Sequence, residues 1–314
     1  MPEWLIERGI GETRFARIEN GEIVEARILV EGVVPAGTEL SGKLKRSGAQ
    51  LFANIDGQDY LLPDGAHGVT DGGPLRIEVT REVIPGWESW KRPLGKLLHG
   101  AGRIVDRITG REIAFPSASN AFNDAGWDDV IEEARSGAVR FQGGELRLFA
   151  TPAMTLIDVD GTLPAADLAR RAAYEAAKAI LRLGIGGSIG IDFPTVAGKS
   201  ARTQVDLAID EVLPRPFERT SLNGFGFLQI VRPRRHASLL ELAQDRAAFE
   251  ARALLRRVAF EDGGPKRLVA HPAIIALLEQ NPEWIAALAK QVGGAVTLRP
   301  DPKLPIHGAY AETA

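Results

Sequence analysis

Two aspartates one residue apart, Asp158 and Asp160, lie where the apolar run in TLIDVDGTLP (155–164) stops, and a third, Asp192, closes the run SIGID. Carboxylates gathered in one place repel each other unless a hard cation neutralises them. Mg²⁺ takes a few carboxylates together with water and substrate phosphate oxygens. The three residues therefore suggest a metal site for Mg²⁺, with Mn²⁺ as an alternative, and chemistry on a phosphate. Two other uses remain open: a phosphatase nucleophile (Asp158) with its acid/base partner (Asp160), or a polar strand end at which Asp160 caps the following helix.

For these carboxylates to meet, strands must carry them to one edge. MTLID reads as a strand, and residues 164–183 as a helix with Leu168, Ala172, Ala176, Ala179, Ile180 and Leu183 on one stripe and Gly184 at its end. SIGID is a second strand, 203–213 a helix stopped by Pro214, and FGFLQIVR a third strand. Strands alternating with helices predict an α/β layer with parallel pairing, and in such sheets functional groups collect beyond the carboxyl ends of the strands. Side chains alternate along a strand, so Asp158 and Asp160 share one face while Ile157 and Val159 take the other. The three carboxylates are expected to converge.

Upstream, ETRFARIENGEIVEARILV alternates apolar and polar residues around Asn20-Gly21, which predicts a hairpin over roughly 12–30. GTELSGKLKR, AQLFANI, QDYLLP and PLRIEVTR are short strands at the spacing of a small β-barrel. Lys43, Lys45, Phe52 and Tyr60 supply that barrel with the basic and aromatic groups a single-stranded nucleic-acid face uses. Residues 81–111 are locally basic (Arg81, Lys91, Arg92, Lys96, Arg103, Arg107 and Arg111 against Glu82, Glu88 and Asp106), a candidate phosphate-tracking surface interrupted by Pro and Gly. A short helix in WDDVIEEARSG precedes the strand GGELRLFA. Past Ser238, whose spacing to Glu241 is that of a capping box, a long helix is expected, followed by a smaller unit of strand KRLVAH, helices HPAIIALLEQ and PEWIAALAKQ, and strand AVTLRP. The expected segments are 1–32 (hairpin), 33–83 (barrel), 84–150 (basic linker), 151–236 (catalytic layer) and 237–314 (small C-terminal α/β domain).

A net charge of −3 provides no global attraction for nucleic acid, so an RNA partner must find a local basic surface. Without cysteine the chain has no disulfide, thiolate zinc site or cysteine nucleophile. No apolar run is long enough to span a bilayer and the first residues show no signal core, so a cytoplasmic protein without membrane association is expected. AGKS lacks the glycine a P-loop needs at the position of Phe193, GIGGSIG has Ile189 in place of the third glycine of a dinucleotide fingerprint, and the five histidines have no metal-binding spacing.

DVDGTL matches the opening signature of haloacid-dehalogenase-type phosphatases, but about half the chain precedes it, whereas that family carries the signature on its first core strand. A longer likeness runs from Glu145 to Arg235. ELRLFATPAMTLIDVDG, AYEAAKAILRLGIGGSIGIDF and FGFLQIVRPRR resemble, in order and spacing, the catalytic core of the ribonuclease E/G family. RLVAHPAIIALLEQ and KQVGGAVTLRPD look like that family's small C-terminal domain. The resemblance implies a hairpin belonging to an RNase H-like part, an OB-type RNA-binding barrel and a DNase I-like layer. It implies Mg²⁺ on Asp158 and Asp192, hydrolysis of single-stranded RNA to 5′-phosphate ends, and contacts of Arg232 and Arg234 with RNA phosphates, to which Lys91 and Arg92 of the basic stretch are added as candidate RNA contacts. Asp160 stands where the family usually has Asn, as an extra metal ligand or in place of a substrate-positioning amide. The family's paired-cysteine zinc link is absent, so a monomer or homodimer is expected rather than a zinc-linked tetramer. The short region ahead of the core leaves no expectation of 5′-end sensing. A non-catalytic RNA-binding protein on the same scaffold is the alternative.

Overall fold

Strands β1 (Trp4–Arg8), β2 (Glu12–Glu19) and β3 (Glu22–Val30) form an antiparallel meander. Its β2–β3 turn is the predicted one: Asn20 and Gly21 both take positive φ, 52° and 81°, the requirement of a two-residue turn that matches strand twist. The computed structural model describes residues 3–84, 91–99, 108–117 and 119–313. Of the basic stretch, Arg103 and Arg107, with Glu88 and Asp106, lie outside the described residues.

The predicted barrel strands are β4 (Glu39–Ser47), β5 (Gln50–Ile55), β6 (Gln58–Leu61) and β7 (Pro74–Arg81). A fifth, β8 (Leu94–Leu97), closes the barrel in the order β4-β5-β6-β8-β7. It meets β7 antiparallel and β6 parallel, at Leu61 and Leu94. The barrel thus runs past residue 83 into the stretch expected to be linker. Leu44, Ala53, Ile55, Tyr60, Leu75, Ile77 and Val79 fill its interior. Gly95 allows close packing there, since a Cβ at that position would come within 2.6 Å of Ile77.

Strand β9 (Gly110–Ile113) pairs parallel with β1, giving a four-stranded sheet β3-β2-β1-β9. Helix α1 (Ala121–Asp124) is capped by Asn120, and α2 (Trp127–Ser136) buries Trp127, Val130, Ile131 and Ala134.

The six-stranded sheet, of order β10-β11-β12-β13-β15-β14, comprises β10 (Ala138–Phe141), β11 (Gly144–Ala150), β12 (Thr155–Gly161), β13 (Gly187–Asp192), β14 (Glu218–Arg219) and β15 (Phe227–Arg232). Helices α3 (Ala165–Arg182) and α4 (Lys199–Val212) pack on one another, and α3 lies against β11 and β12. Ala169, Ala172, Ala173, Ala176 and Ala177 of α3 are fully buried, their small side chains permitting close approach of the helix. The β12–β13 pair is parallel, as expected from the intervening helix. The β13–β15 pair is antiparallel, which corrects the expectation of parallel pairing throughout: after α4 the chain first forms β14, a strand antiparallel to β15, and so enters β15 reversed.

At Ser238 the capping box forms, with Ser238 Oγ accepting from Glu241 N (3.2 Å) and the Glu241 carboxylate accepting from Ser238 N (2.8 Å). The expected long helix is instead two. Helix α5 (Leu239–Leu242) ends after one turn, and α6 (Arg246–Ala259) starts afresh because Asp245 caps it through Ala248 N. Strands β16 (Lys266–Ala270), β17 (Val296–Pro300) and β18 (Tyr310–Thr313) form a sheet of order β17-β16-β18 beside helices α7 (Pro272–Gln280) and α8 (Pro282–Val292).

Residues 1–31, 110–135 and 242–314 make one unit of the chain, and 32–109 with 136–241 make another. The C-terminal segment from residue 242 shares a unit with the hairpin. Buried charge joins them. Glu7, fully buried, accepts from Arg14 (2.6 Å), Arg256 (3.0 Å) and Asn120 (2.6 Å), while Glu12 accepts from Arg14 (2.6 Å) and Arg252 (3.0 Å). Burial alone would push the Glu7 carboxyl up, but the two guanidiniums and Asn120 hold it below the usual carboxylate range.

Candidate functional site

The two faces of the six-stranded sheet differ. Ile157, Val159, Leu146, Leu148, Ile189, Ile191, Leu228 and Ile230 point to the buried face. On the opposite face Asp158, Asp160 and Asp192 are exposed to solvent.

Asp158 and Asp192 are register partners across the parallel β12–β13 pair. Neighbouring strands lie about 4.8 Å apart, and Mg²⁺ binds oxygen at about 2.0–2.1 Å, so two such carboxylates can share one ion. On the other side, Arg147 of β11 is the register partner of Asp158, and Phe227 of β15 that of Asp192. One row across four strands therefore reads Arg147, Asp158, Asp192, Phe227. The ring of Phe227 leans over Gly190, where a Cβ would meet its Cζ at 2.6 Å, and this leaves the face at Asp192 open.

Asp160 lies two residues along β12 and is paired with Glu145, not with a residue of β13, which ends at Asp192. Among the described residues no group of three or more His, Cys, Asp or Glu side chains is arranged to hold a metal ion. The register sets Asp158 and Asp192 side by side as a pair, with Asp160 one step farther along the same face of β12. Asp160 belongs to a second row with Glu145, which also ion-pairs with Arg140 (3.0 Å) and Arg147 (2.6 Å).

On the barrel, Lys43, Lys45 and Arg92 are exposed, as a polyanion contact requires. Lys45 is partly neutralised by Asp59 at 2.7 Å, and hydrogen bonds from Lys45 and Asn54 hold the Asp59 carboxyl below its usual range. Phe52 and Tyr60, expected to stack on bases, are buried at 8% and 4% exposure. Tyr60 sits inside the barrel, and burial raises its phenol pKa. Both are corrected to structural residues, because a base cannot stack on a ring already covered by protein. Lys91 donates to Pro152 O (3.0 Å), just ahead of β12. Arg232 donates to Ile185 O (3.0 Å), and Arg234 is paired with Glu241. These two arginines brace the ends of β13 and β15 instead of presenting a free guanidinium to phosphate.

Three open-face residues were not singled out from the sequence: Glu145, Arg147 and Phe149. Their signal was the alternation Glu-Leu-Arg-Leu-Phe, which places all three on one face. Only the β11–β12 register shows that this is the face of Asp158. The chain matches no protein-family model and no curated protein sequence. Among the described residues, no helix is long and apolar enough to cross a membrane.

Proposed function

We propose that the protein is a divalent-metal-dependent endoribonuclease acting on single-stranded RNA, built on a scaffold like that of the ribonuclease E/G family. The observation that carries this reading is the register pairing of Asp158 with Asp192 on the open sheet face. Two solvent-facing carboxylates on adjacent strands fit Mg²⁺, which keeps several waters and takes one or two carboxylates plus substrate phosphate. Such an ion supplies Lewis-acid polarisation of the phosphoryl oxygen and offsets the charge that grows in the transition state. Asp158 and Asp192 would hold it, and the open face would admit a flexible strand. Attack of water on phosphorus with loss of the 3′-oxygen leaves a 5′-phosphate and a 3′-hydroxyl.

The barrel supports the same reading. Its strand order, with β6 and β8 closing in parallel and β4 and β7 antiparallel, agrees with an OB-type barrel, and Lys43, Lys45 and Arg92 give it an exposed basic surface. The sheet β3-β2-β1-β9, with its parallel last pair, is consistent with a reduced RNase H-like part. RNA binding without cleavage is the competing reading, favoured by the pairing of Asp160 with Glu145, which leaves two carboxylates rather than three. Incubation of a fluorescent single-stranded RNA with Mg²⁺ separates them. Internal cuts carrying 5′-phosphates support the nuclease; binding without cuts supports the rival. Release of inorganic phosphate from small esters with RNA left intact would point to a phosphatase.

A further inference from the structure

On the side of the carboxylate row away from Asp160 the open face carries an apolar row. Phe149 (54% exposed) is the register partner of Leu156 (38% exposed), and Leu156 reaches Gly190, over which Phe227 leans. Large apolar side chains left exposed side by side on a sheet are uncommon unless something binds there. Arg147 and Phe149 project from the same strand two residues apart, about 6.8 Å, so a cation and an aromatic ring stand in line next to Asp158. Arg147 is half exposed, and its Nε is ion-paired with Glu145 at 2.6 Å. A guanidinium has five N–H donors, and this pair engages one side of it. The other N–H groups remain for an anion, and Glu145 fixes the direction in which they point.

We propose that Arg147 and Phe149 form a nucleotide subsite: Arg147 takes an RNA phosphate adjacent to the one at Asp158 and Asp192, and Phe149 with Leu156 receives the attached base. The subsite rests on the nuclease reading for its place beside the scissile bond, but binding alone reports on it. Two features favour a nucleotide over a second protein: a guanidinium aligned with a carboxylate pair suits a phosphate bridged to a metal, and an aromatic ring one step along the strand suits a base. Glu145 acts as a positioning residue through Arg147.

The test compares the wild-type protein with Arg147→Ala, Arg147→Lys, Phe149→Ala and Glu145→Gln. It measures fluorescence anisotropy of a labelled single-stranded RNA over a salt series, and cleavage of the same RNA with Mg²⁺. These side chains are at least partly exposed, and circular dichroism checks that the variants fold. Arg147→Ala should weaken binding about tenfold and lower the salt slope by about 0.7; Lys should restore the slope but not the full affinity. Phe149→Ala should weaken binding about tenfold with an unchanged slope, and should no longer discriminate against an RNA carrying an abasic site. In cleavage these losses should fall on KM more than on kcat. Glu145→Gln should give a smaller loss that is absent in the Arg147→Ala background. If the wild type cuts RNA but Arg147→Ala and Phe149→Ala bind like it, the subsite is overturned and the nuclease reading stands. If no RNA is cut but binding depends on both residues, the nuclease reading fails and the subsite stands. A shift of the wild type, but not of Phe149→Ala, to a dimer in ultracentrifugation without RNA would overturn the subsite in favour of a second copy on this face.

Discussion

Replacing Glu7 with glutamine removes the negative charge at the centre of a buried network while keeping its shape. Arg14 and Arg256 would then face an amide where each now has a carboxylate, at 2.6 and 3.0 Å. Breaking a buried ion pair by removing one partner costs about 3–5 kcal/mol; here Arg14 keeps Glu12 at 2.6 Å, while Arg256 loses the buried carboxylate it pairs with. The amide oxygen still accepts one hydrogen bond, which sets the expectation near the lower end, about 3 kcal/mol. An exposed pair is the control: Arg8 and Glu112, at 65% and 57% side-chain exposure, should contribute under about 1 kcal/mol. Urea unfolding at pH 7, followed by far-UV circular dichroism, measures both variants. The pH profile supplies a second arm. Glu7 is held below its ordinary value of 4.5 in the folded chain, so its contribution is complete above about pH 4.5 and is lost as pH falls through the lower folded value. Glu7→Gln should therefore flatten the acid-side loss of stability. A Glu7→Gln protein as stable as the Arg8→Ala protein, or one with an unchanged acid limb, would refute the claim that this network joins the hairpin to α6.

Other consequences concern the sheet and the barrel. Gly226 has φ of +94° and a Cβ there would lie 2.3 Å from Phe193 O, so Gly226→Ala should lower stability by about 1–3 kcal/mol in the same urea assay. Asp160→Asn should keep kcat/KM within about threefold in the RNA cleavage assay, since Asp160 is not part of the carboxylate pair. Lys43→Ala should reduce the salt slope of RNA binding by about 0.7 without altering kcat, as expected of an exposed barrel lysine remote in role from the chemistry.

Much of the secondary structure was legible because local rules governed it. Asn20-Gly21 specified a turn, alternation specified β2, β3 and β11, and the Leu168–Leu183 stripe specified α3. Misreadings occurred where long-range pairing decided. Leu94–Leu97 is too short and too basic in context to read as a strand, yet the barrel needs it to close. The direction of β15 depends on the two-residue strand β14, which has no pattern of its own. Asp245 overrides the expected long helix only because its side chain turns back to cap a new one. At the site, strand alternation correctly gave the shared face of Asp158 and Asp160 but not the register that pairs Asp158 with Asp192 and leaves Asp160 with Glu145. Phe52 and Tyr60 were misread because an aromatic side chain in a small barrel serves a core as readily as it serves a base.

The most direct test of the shared-ion claim is a Mg²⁺ titration of single-stranded RNA cleavage by the wild-type protein, Asp158→Asn and Asp192→Asn, with Mn²⁺ binding to each protein measured in parallel. The account predicts metal-dependent cutting by the wild type, loss of about 100-fold or more in either variant, and weakened Mn²⁺ binding in both. Cutting that persists in both variants, or Mn²⁺ binding that neither substitution disturbs, would contradict it.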